Sequence, residues 1–253
     1  MKLKKLICVA IGVSLIAGTM LTGCGGKKED KTYVIATDVT YAPFEFEQDG
    51  KYIGIDVDLI EAIAKLEGFK YELKPMQFKG IIPALTSNQI DASISGMTIT
   101  DERKKVLDFS DGYFESGTSA VIHKDNTEIK TKDDFKGKTF AVKKGTTGSK
   151  YAEDNKDALG GTINYFESTP AMFQEVINGN ADITFEDYPV IAYMLTQDTA
   201  APLKILEKIS TEDYGFAVNK GKNQELLKAF NEGLKKLKES GEYDKIVGKY
   251  INQ

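Results

Sequence analysis

Ala92-Ser93-Ile94-Ser95-Gly96-Met97-Thr98-Ile99-Thr100-Asp101-Glu102-Arg103 is the stretch on which the reading of the chain turns. Its first four residues read as a buried strand. The strand runs out into a glycine, two threonines, two acids and an arginine. The chain has 33 basic residues, and Arg103 is the only arginine among them. Arginine differs from lysine in presenting a flat fork that grips a carboxylate through two parallel hydrogen bonds. Thr98 and Thr100 add hydroxyls. Thr100-Asp101-Glu102 reads as a helix start with Thr100 as N-cap, where free backbone N–H groups attract anions. The residues are compatible with a carboxylate receptor. They are equally compatible with a capped surface turn whose arginine pairs with Asp101 or Asp108.

On the N-terminal side of this strand the pattern alternates. Tyr33-Val34-Ile35-Ala36-Thr37 reads as a strand, and Phe44 to Ile53 as a hairpin with an Asp49-Gly50 turn. Asp56 stands as the cap of a helix with Val57, Ile60, Ile63 and Ala64 inward, closed by Gly68. Tyr71-Glu72-Leu73 is a strand and Ile81–Leu85 a short helix. The βαβαβ order predicts a parallel sheet covered by helices. On the C-terminal side Gly112–Val121 breaks the rhythm, and the alternation then resumes. Strands are expected at Thr118–Ile122, Thr139–Val142, Ile163–Phe166, Asp182–Phe185 and Tyr214–Val218. Helices are expected at Thr147–Asn155 and Pro170–Ile177, after Asp187, over Leu226–Leu237 and over Tyr243–Tyr250. Two such units predict two lobes. Ligands of open α/β sheets bind beyond the carboxyl ends of the strands. Here those ends are Thr37-Asp38, Ser95-Gly96, Val142-Lys143 and Phe185-Glu186-Asp187.

The N-terminus reads as a targeting segment. Met1–Lys5 is a positive region, Leu6–Met20 an apolar one, and Leu21-Thr22-Gly23-Cys24 closes it. The tetrapeptide resembles a bacterial lipobox, which implies cleavage after residue 23, lipidation of Cys24 and an extracytoplasmic body. Residues 24–30 are then a lipidated, glycine-led tether of roughly 15 Å. The other cysteine, Cys8, lies inside the leader, which leaves no disulfide and no thiol metal site. Removing the leader's three lysines leaves 30 basic against 38 acidic residues, a charge of −8 that argues against nucleic acid as partner.

Three stretches together resemble the bacterial extracellular solute-binding proteins of the polar amino-acid ABC importer class. They are Ala36-Thr37-Asp38-Val39-Thr40-Tyr41-Ala42-Pro43-Phe44-Glu45-Phe46, followed by Gly54-Ile55-Asp56-Val57-Asp58-Leu59; Gly96 to Lys104; and Val142-Lys143-Lys144-Gly145-Thr146-Thr147-Gly148-Ser149. The resemblance implies an α/β periplasmic-binding-protein-like fold of two lobes joined by two crossing strands. Lobe 1 would be residues 31–112 plus 216–253, lobe 2 residues 118–210, and the hinge 113–117 and 211–215. It implies a monomer that carries a polar amino acid to permease subunits, with no cofactor, metal or catalytic residue.

The resemblance also assigns roles. Arg103 would hold the ligand's α-carboxylate, helped by Thr98 and by backbone near Ser95 and Gly96. Asp187 would accept its ammonium, with Thr146 and Thr147 near by. Tyr41 and Phe78 would sandwich the side chain. Asp38 and Lys143 match positions around the side chain in glutamine-binding relatives. As a pair they ask for a tip that both donates and accepts, which a primary amide does, so glutamine is the expected ligand. Glu186 stands where such a relative can carry histidine, and Gly145-Thr146-Thr147 is closer to the lysine/arginine/histidine-binding relatives. With Glu186 inward and Lys143 outward, a basic amino acid is the alternative. A dehydratase on the same fold is the enzymatic rival, and Glu186 is its candidate general acid. His123, the sole histidine, reads as structural, which leaves no Ser/His or Cys/His pair.

Overall fold

A computed structural model describes residues 31–251. The expected leader, Cys24 and the tether lie outside them. In chain order the elements begin with β1 (Thr32–Thr37), β2 (Thr40–Tyr41), β3 (Glu45–Gln48), β4 (Lys51–Ile53), α1 (Ile55–Glu67), β5 (Lys70–Pro75), α2 (Phe78–Thr86), β6 (Ala92–Ser93) and β7 (Leu107–Phe109). Then come β8 (Phe114–Ser116), β9 (Thr118–His123), β10 (Thr139–Lys143), α3 (Thr147–Asp154), α4 (Lys156–Leu159), β11 (Thr162–Phe166), α5 (Thr169–Ile177), β12 (Ile183–Asp187), α6 (Tyr188–Gln197) and β13 (Leu203–Lys208). The chain closes with β14 (Glu212–Tyr214), β15 (Ala217–Asn219), α7 (Gln224–Ser240) and α8 (Glu242–Gly248).

The strands form two five-stranded sheets of matching order, β5-β1-β6-β15-β7 and β11-β10-β12-β9-β13. In each, the three strands of the βαβαβ unit are parallel. One strand of each, β15 or β9, runs antiparallel to both of its neighbours, so the sheets are mixed rather than purely parallel. The cause is the route of the chain. It leaves the first sheet along β8 and enters the second as β9, against β12; it returns along β14 and re-enters the first as β15, against β6. β8 and β14 pair with each other as a two-stranded ribbon between the sheets.

Three local expectations differ. The strand expected over Tyr214–Val218 is two strands, because Gly215 breaks it where the backbone packs against Ile99 and Phe109. Asp56 is not the cap of α1: the helix starts at Ile55, and Asp56 is fully buried in its first turn. The start expected at Thr100 is only a 3-10 turn over Arg103–Lys105. The Asp49-Gly50 turn is as expected, with φ of +52° and +72° as a two-residue hairpin of this kind requires.

Apolar burial follows the predicted faces. α1 and α7 pack across the outside of the first sheet through Ile63, Leu227, Phe230 and Leu234, and Phe216 stacks on Phe230 at 4.3 Å. Phe135, Phe140 and Phe185 form the aromatic centre of a cluster in the second. The polar ends of β1, β6, β10 and β12 therefore face one another across the gap between the sheets.

Candidate functional site

Tyr41, Phe78, Gly96, Thr98, Arg103, Lys143, Thr146, Thr147 and Asp187 line a narrow cleft between the two sheets. Nine of the twelve expected residues thus share one surface. Asp38, Ser95 and Glu186 lie behind it.

Arg103 is buried, and its fork is already oriented. One Nη donates to the Thr98 carbonyl at 2.7 Å, and the other donates across the gap to the Gly145 carbonyl at 3.0 Å. The guanidinium lies 5.5 Å from the centre of the Phe78 ring. Desolvation lowers its pKa from the ordinary value, yet a guanidinium stays protonated in proteins. The surface-turn reading fails on geometry: Asp108 pairs with Lys220 at 3.0 Å and Asp101 with Lys104 at 3.7 Å. Thr100 does accept from the Arg103 N–H at 3.2 Å, but it closes a turn rather than opening a helix.

Asp187 occupies the N-cap position of α6 but makes no cap bond. Its carboxylate turns into the cleft. Oδ2 lies 2.7 Å from the Tyr41 hydroxyl and 2.6 Å from that of Tyr214, and Oδ1 lies 3.4 Å from the Thr118 hydroxyl. Burial, reinforced by the Asp187 charge, pushes both tyrosine pKa values well up, so the hydroxyls remain donors. Tyr214 and Thr118 were not expected as site residues. They come from β14 and the start of β9, and Tyr214 sat within an expected strand with no pattern to mark it out.

The side-chain end departs most from expectation. Lys143 Nζ and Asp38 Oδ2 pair with each other at 2.7 Å, both almost wholly buried. Asp38 also accepts from Thr40, through N–H and hydroxyl, and from the Phe78 N–H. Lys143 therefore points neither to solvent nor away from Asp38. Its ammonium lies 4.9 Å from the centre of the Tyr41 ring and 5.9 Å from that of Phe78. Glu186 does turn inward: Oε1 accepts from the Asp187 N–H at 2.9 Å and lies 3.2 Å from the Tyr41 hydroxyl. The Thr169 hydroxyl is within hydrogen-bonding reach of the same carboxyl. Desolvation, then the Asp187 charge, raises the Glu186 pKa to about 7.

Of the backbone expected near the carboxylate, the Gly96 N–H is committed elsewhere, and the Ser95 hydroxyl belongs to the same network. The Ser95 hydroxyl accepts from the Asp38 N–H and donates to Glu45, both at 2.9 Å. The Gly96 N–H donates to Asp56 at 2.8 Å. Gly96 still shapes the cleft: its φ is +49°, and a Cβ there would stand 2.6 Å from Tyr41 Cε1. The Thr146 hydroxyl caps α3 by accepting from the Ser149 N–H at 3.1 Å. The Thr147 and Thr118 hydroxyls lie 3.1 Å apart. His123 lies outside the cleft, near Asp125. Among the described residues no cluster of three or more His, Cys, Asp or Glu is placed to hold a metal ion.

Such a cleft sets the fork of Arg103 opposite Asp187, the charge pattern that matches a small zwitterion. Similarity to known proteins points the same way. The model of bacterial extracellular solute-binding proteins, family 3, matches residues 33–253. A probable histidine-binding protein of Neisseria gonorrhoeae is 36% identical over 264 residues, covering 99% of this chain and 97% of its own. An ancestral arginine-binding protein bound to arginine superposes with a TM-score of 0.82 at 43% identity, over 87% of this chain and 98% of its own. The same kind of ancestral protein bound to glutamine superposes with a TM-score of 0.80 at 43% identity, over 88% and 98%.

Proposed function

The chain belongs to the bacterial extracellular solute-binding proteins, family 3, and we propose that it is the glutamine-binding lipoprotein of an ABC importer. In this reading Cys24 carries the lipid and the body stands outside the cell membrane as a monomer. Arg103 takes the ligand's α-carboxylate and Asp187 its ammonium. The two groups reach the ligand from opposite sheets, so a zwitterion favours the closed arrangement through contacts that neither half makes alone. The ribbon of β8 and β14 is the hinge, and the closed form is what the permease subunits receive.

One observation carries the choice of glutamine. Lys143, not Glu186, lines the cleft between Tyr41 and Phe78. A basic side chain would bring a second cation against it. An amide can present its oxygen to the ammonium and stack its stem on the rings, while Asp38 keeps Lys143 neutralised from behind. The donor half of the amide then has no call on Asp38, which differs from the sequence argument. A second reading, a basic amino acid, is favoured by the inward-turned, buried carboxyl of Glu186 and by the arginine-bound relative.

The protein binds without turnover in this proposal, as the histidine- and arginine-binding relatives are binding proteins. A thermal-shift screen of the twenty amino acids on the mature domain tests the ligand, since binding raises apparent stability by mass action. The largest shift is expected with glutamine; a larger shift with arginine, lysine or histidine selects the second reading. Incubation with prephenate and arogenate should leave both unchanged, and product formation would make the protein an enzyme.

A further inference from the structure

Beneath the cleft lie two carboxyl groups that the binding of a zwitterion does not use. Glu45 on β3 and Asp56 in the first turn of α1 are both fully buried. Glu45 Oε1 accepts from the Ser95 hydroxyl at 2.9 Å. Asp56 Oδ2 accepts from the Gly96 N–H and from the Tyr113 hydroxyl, both at 2.8 Å. One oxygen on each, Glu45 Oε2 and Asp56 Oδ1, has no donor from any other group. The two carboxyls are within hydrogen-bonding reach of each other.

We propose that Glu45 and Asp56 share a single proton and act as one positioning unit, which ties the Ser95-Gly96 turn of the cleft to Tyr113 at the first crossing between the sheets. Among the described residues the other titratable groups acting on the pair are Asp38 and Tyr113, an acid and a phenol, neither of which offsets a second negative charge. Two touching carboxylates removed from water cannot both stay ionised. A proton on Glu45 Oε2 donated to Asp56 Oδ1 satisfies both orphaned oxygens with one bond. The local fields agree on where it sits. Desolvation and the neighbouring Asp56 and Asp38 hold Glu45 well above the ordinary carboxylate range, while donors to Asp56 limit its rise under desolvation to about 6.

The unit reaches the ligand surface by two routes. Ser95, resting on Glu45, also accepts the Asp38 N–H, and Asp38 holds Lys143. Gly96, resting on Asp56, carries the ring of Tyr41 against its bare Cα. Tyr113 in turn receives the Tyr243 hydroxyl on its carbonyl at 2.6 Å, and its N–H donates to the Tyr214 carbonyl. Backbone on both sides of the cleft's floor is thus fixed by one proton. Its effect on affinity rests on the reading of the cleft as an amino-acid site; the proton itself does not.

Infrared difference spectroscopy of the ligand-free E186Q protein, which removes the other buried acid of raised pKa, should show a carboxylic C=O band at pH 7. E45Q in that background should abolish the band. In the affinity arm, Glu45→Gln retains an acceptor for Ser95 and a donor for Asp56, and should hold glutamine within about threefold of the parent. Glu45→Leu loses both and should bind about tenfold more weakly or worse, as stranded buried polar groups do. A missing band, a band that survives E45Q, or equal losses in E45Q and E45L would overturn the proposal. If E45L does not fold, the infrared arm decides alone: a C=O band that is missing from E186Q, or that survives E45Q in that background, overturns the shared proton. If no amino acid binds the parent, the ligand reading fails while the infrared result still stands or falls alone.

Discussion

At the scale of single residues, the proposed function divides what all amino acids share from what distinguishes them. Arg103 is assigned the shared part, and its fork is held on two carbonyls from opposite sides of the cleft. Arg103→Lys keeps the charge but cannot hold both carbonyls and a carboxylate together. Its Kd for any accepted amino acid should rise about tenfold or more, and an unchanged Kd by calorimetry would remove Arg103 from the carboxylate site. Lys143 is assigned the distinguishing part. Lys143→Met strands Asp38 in a buried site, which typically costs about 3–5 kcal/mol. The ligand-free variant should melt at lower temperature, and arginine, by resupplying a cation between Tyr41 and Phe78, should restore more of the loss than glutamine does. Restoration by glutamine alone would mean that Lys143 does not exclude basic ligands. Arg103 was legible in the sequence because it is the sole arginine among 33 basic residues. The mutual pairing of Asp38 and Lys143 was not, since residues 105 positions apart show no preference for each other in sequence. Tyr214 was hidden for a related reason, being one aromatic among many in a strand.

At the scale of elements, periodicity placed the parallel strands and the amphipathic helices, because one buried face dictates the spacing of apolar residues. It could not show where a polar residue in a helix's first turn would face. Asp56 has the sequence position of a cap, yet tertiary contacts from Gly96 and Tyr113 draw it inward. Nor could it show that Gly215 divides β14 from β15. The glycine in α7 is a further case where packing overrides propensity. A Cβ at Gly233 would stand 2.7 Å from Ile63 Cγ2 on α1 and 3.2 Å from Glu67 Cγ. Alanine in a helix interior is intrinsically better than glycine by about 1 kcal/mol, but overpacking costs about 1–3 kcal/mol. Ile63 is fully buried and has little room to retreat. Gly233→Ala should therefore lower the melting temperature by about 2–4 °C and leave ligand affinity unchanged. A higher melting temperature would mean that α7 shifts to accept the methyl group.

At the scale of the molecule, two sheets of the same order enclose more buried acid than buried base, and this makes both stability and ligand choice depend on pH. Glu186 rises to about 7 and Asp56 to about 6, each from an ordinary carboxylate value, with burial as the main cause. Over the interval between unfolded and folded values the native state holds more protons than the unfolded one. Stability then falls as pH rises, by at most about 1.4 kcal/mol per pH unit for each group, and levels off above the folded values. The melting temperature should decline as pH rises from 5, with Glu45 carrying the decline beyond the range of Glu186, and Glu186→Gln should flatten the part around pH 7. The groups that face Glu186 are Asp187, Lys143, Tyr41 and Thr169. Losing its proton leaves Asp38, Asp187 and Glu186 against Arg103 and Lys143, one net negative charge beside the ligand's side chain. A neutral amide gains nothing from that charge, whereas a guanidinium or ammonium does. The ratio of the Kd for arginine to that for glutamine should therefore fall as pH rises from 6 to 8, by up to about tenfold per unit that Glu186 titrates. In Glu186→Gln the ratio should stay flat, because arginine keeps its charge throughout the range. A ratio that is equally flat in the parent protein would show that Glu186 lies too far behind Lys143 to be felt by the ligand.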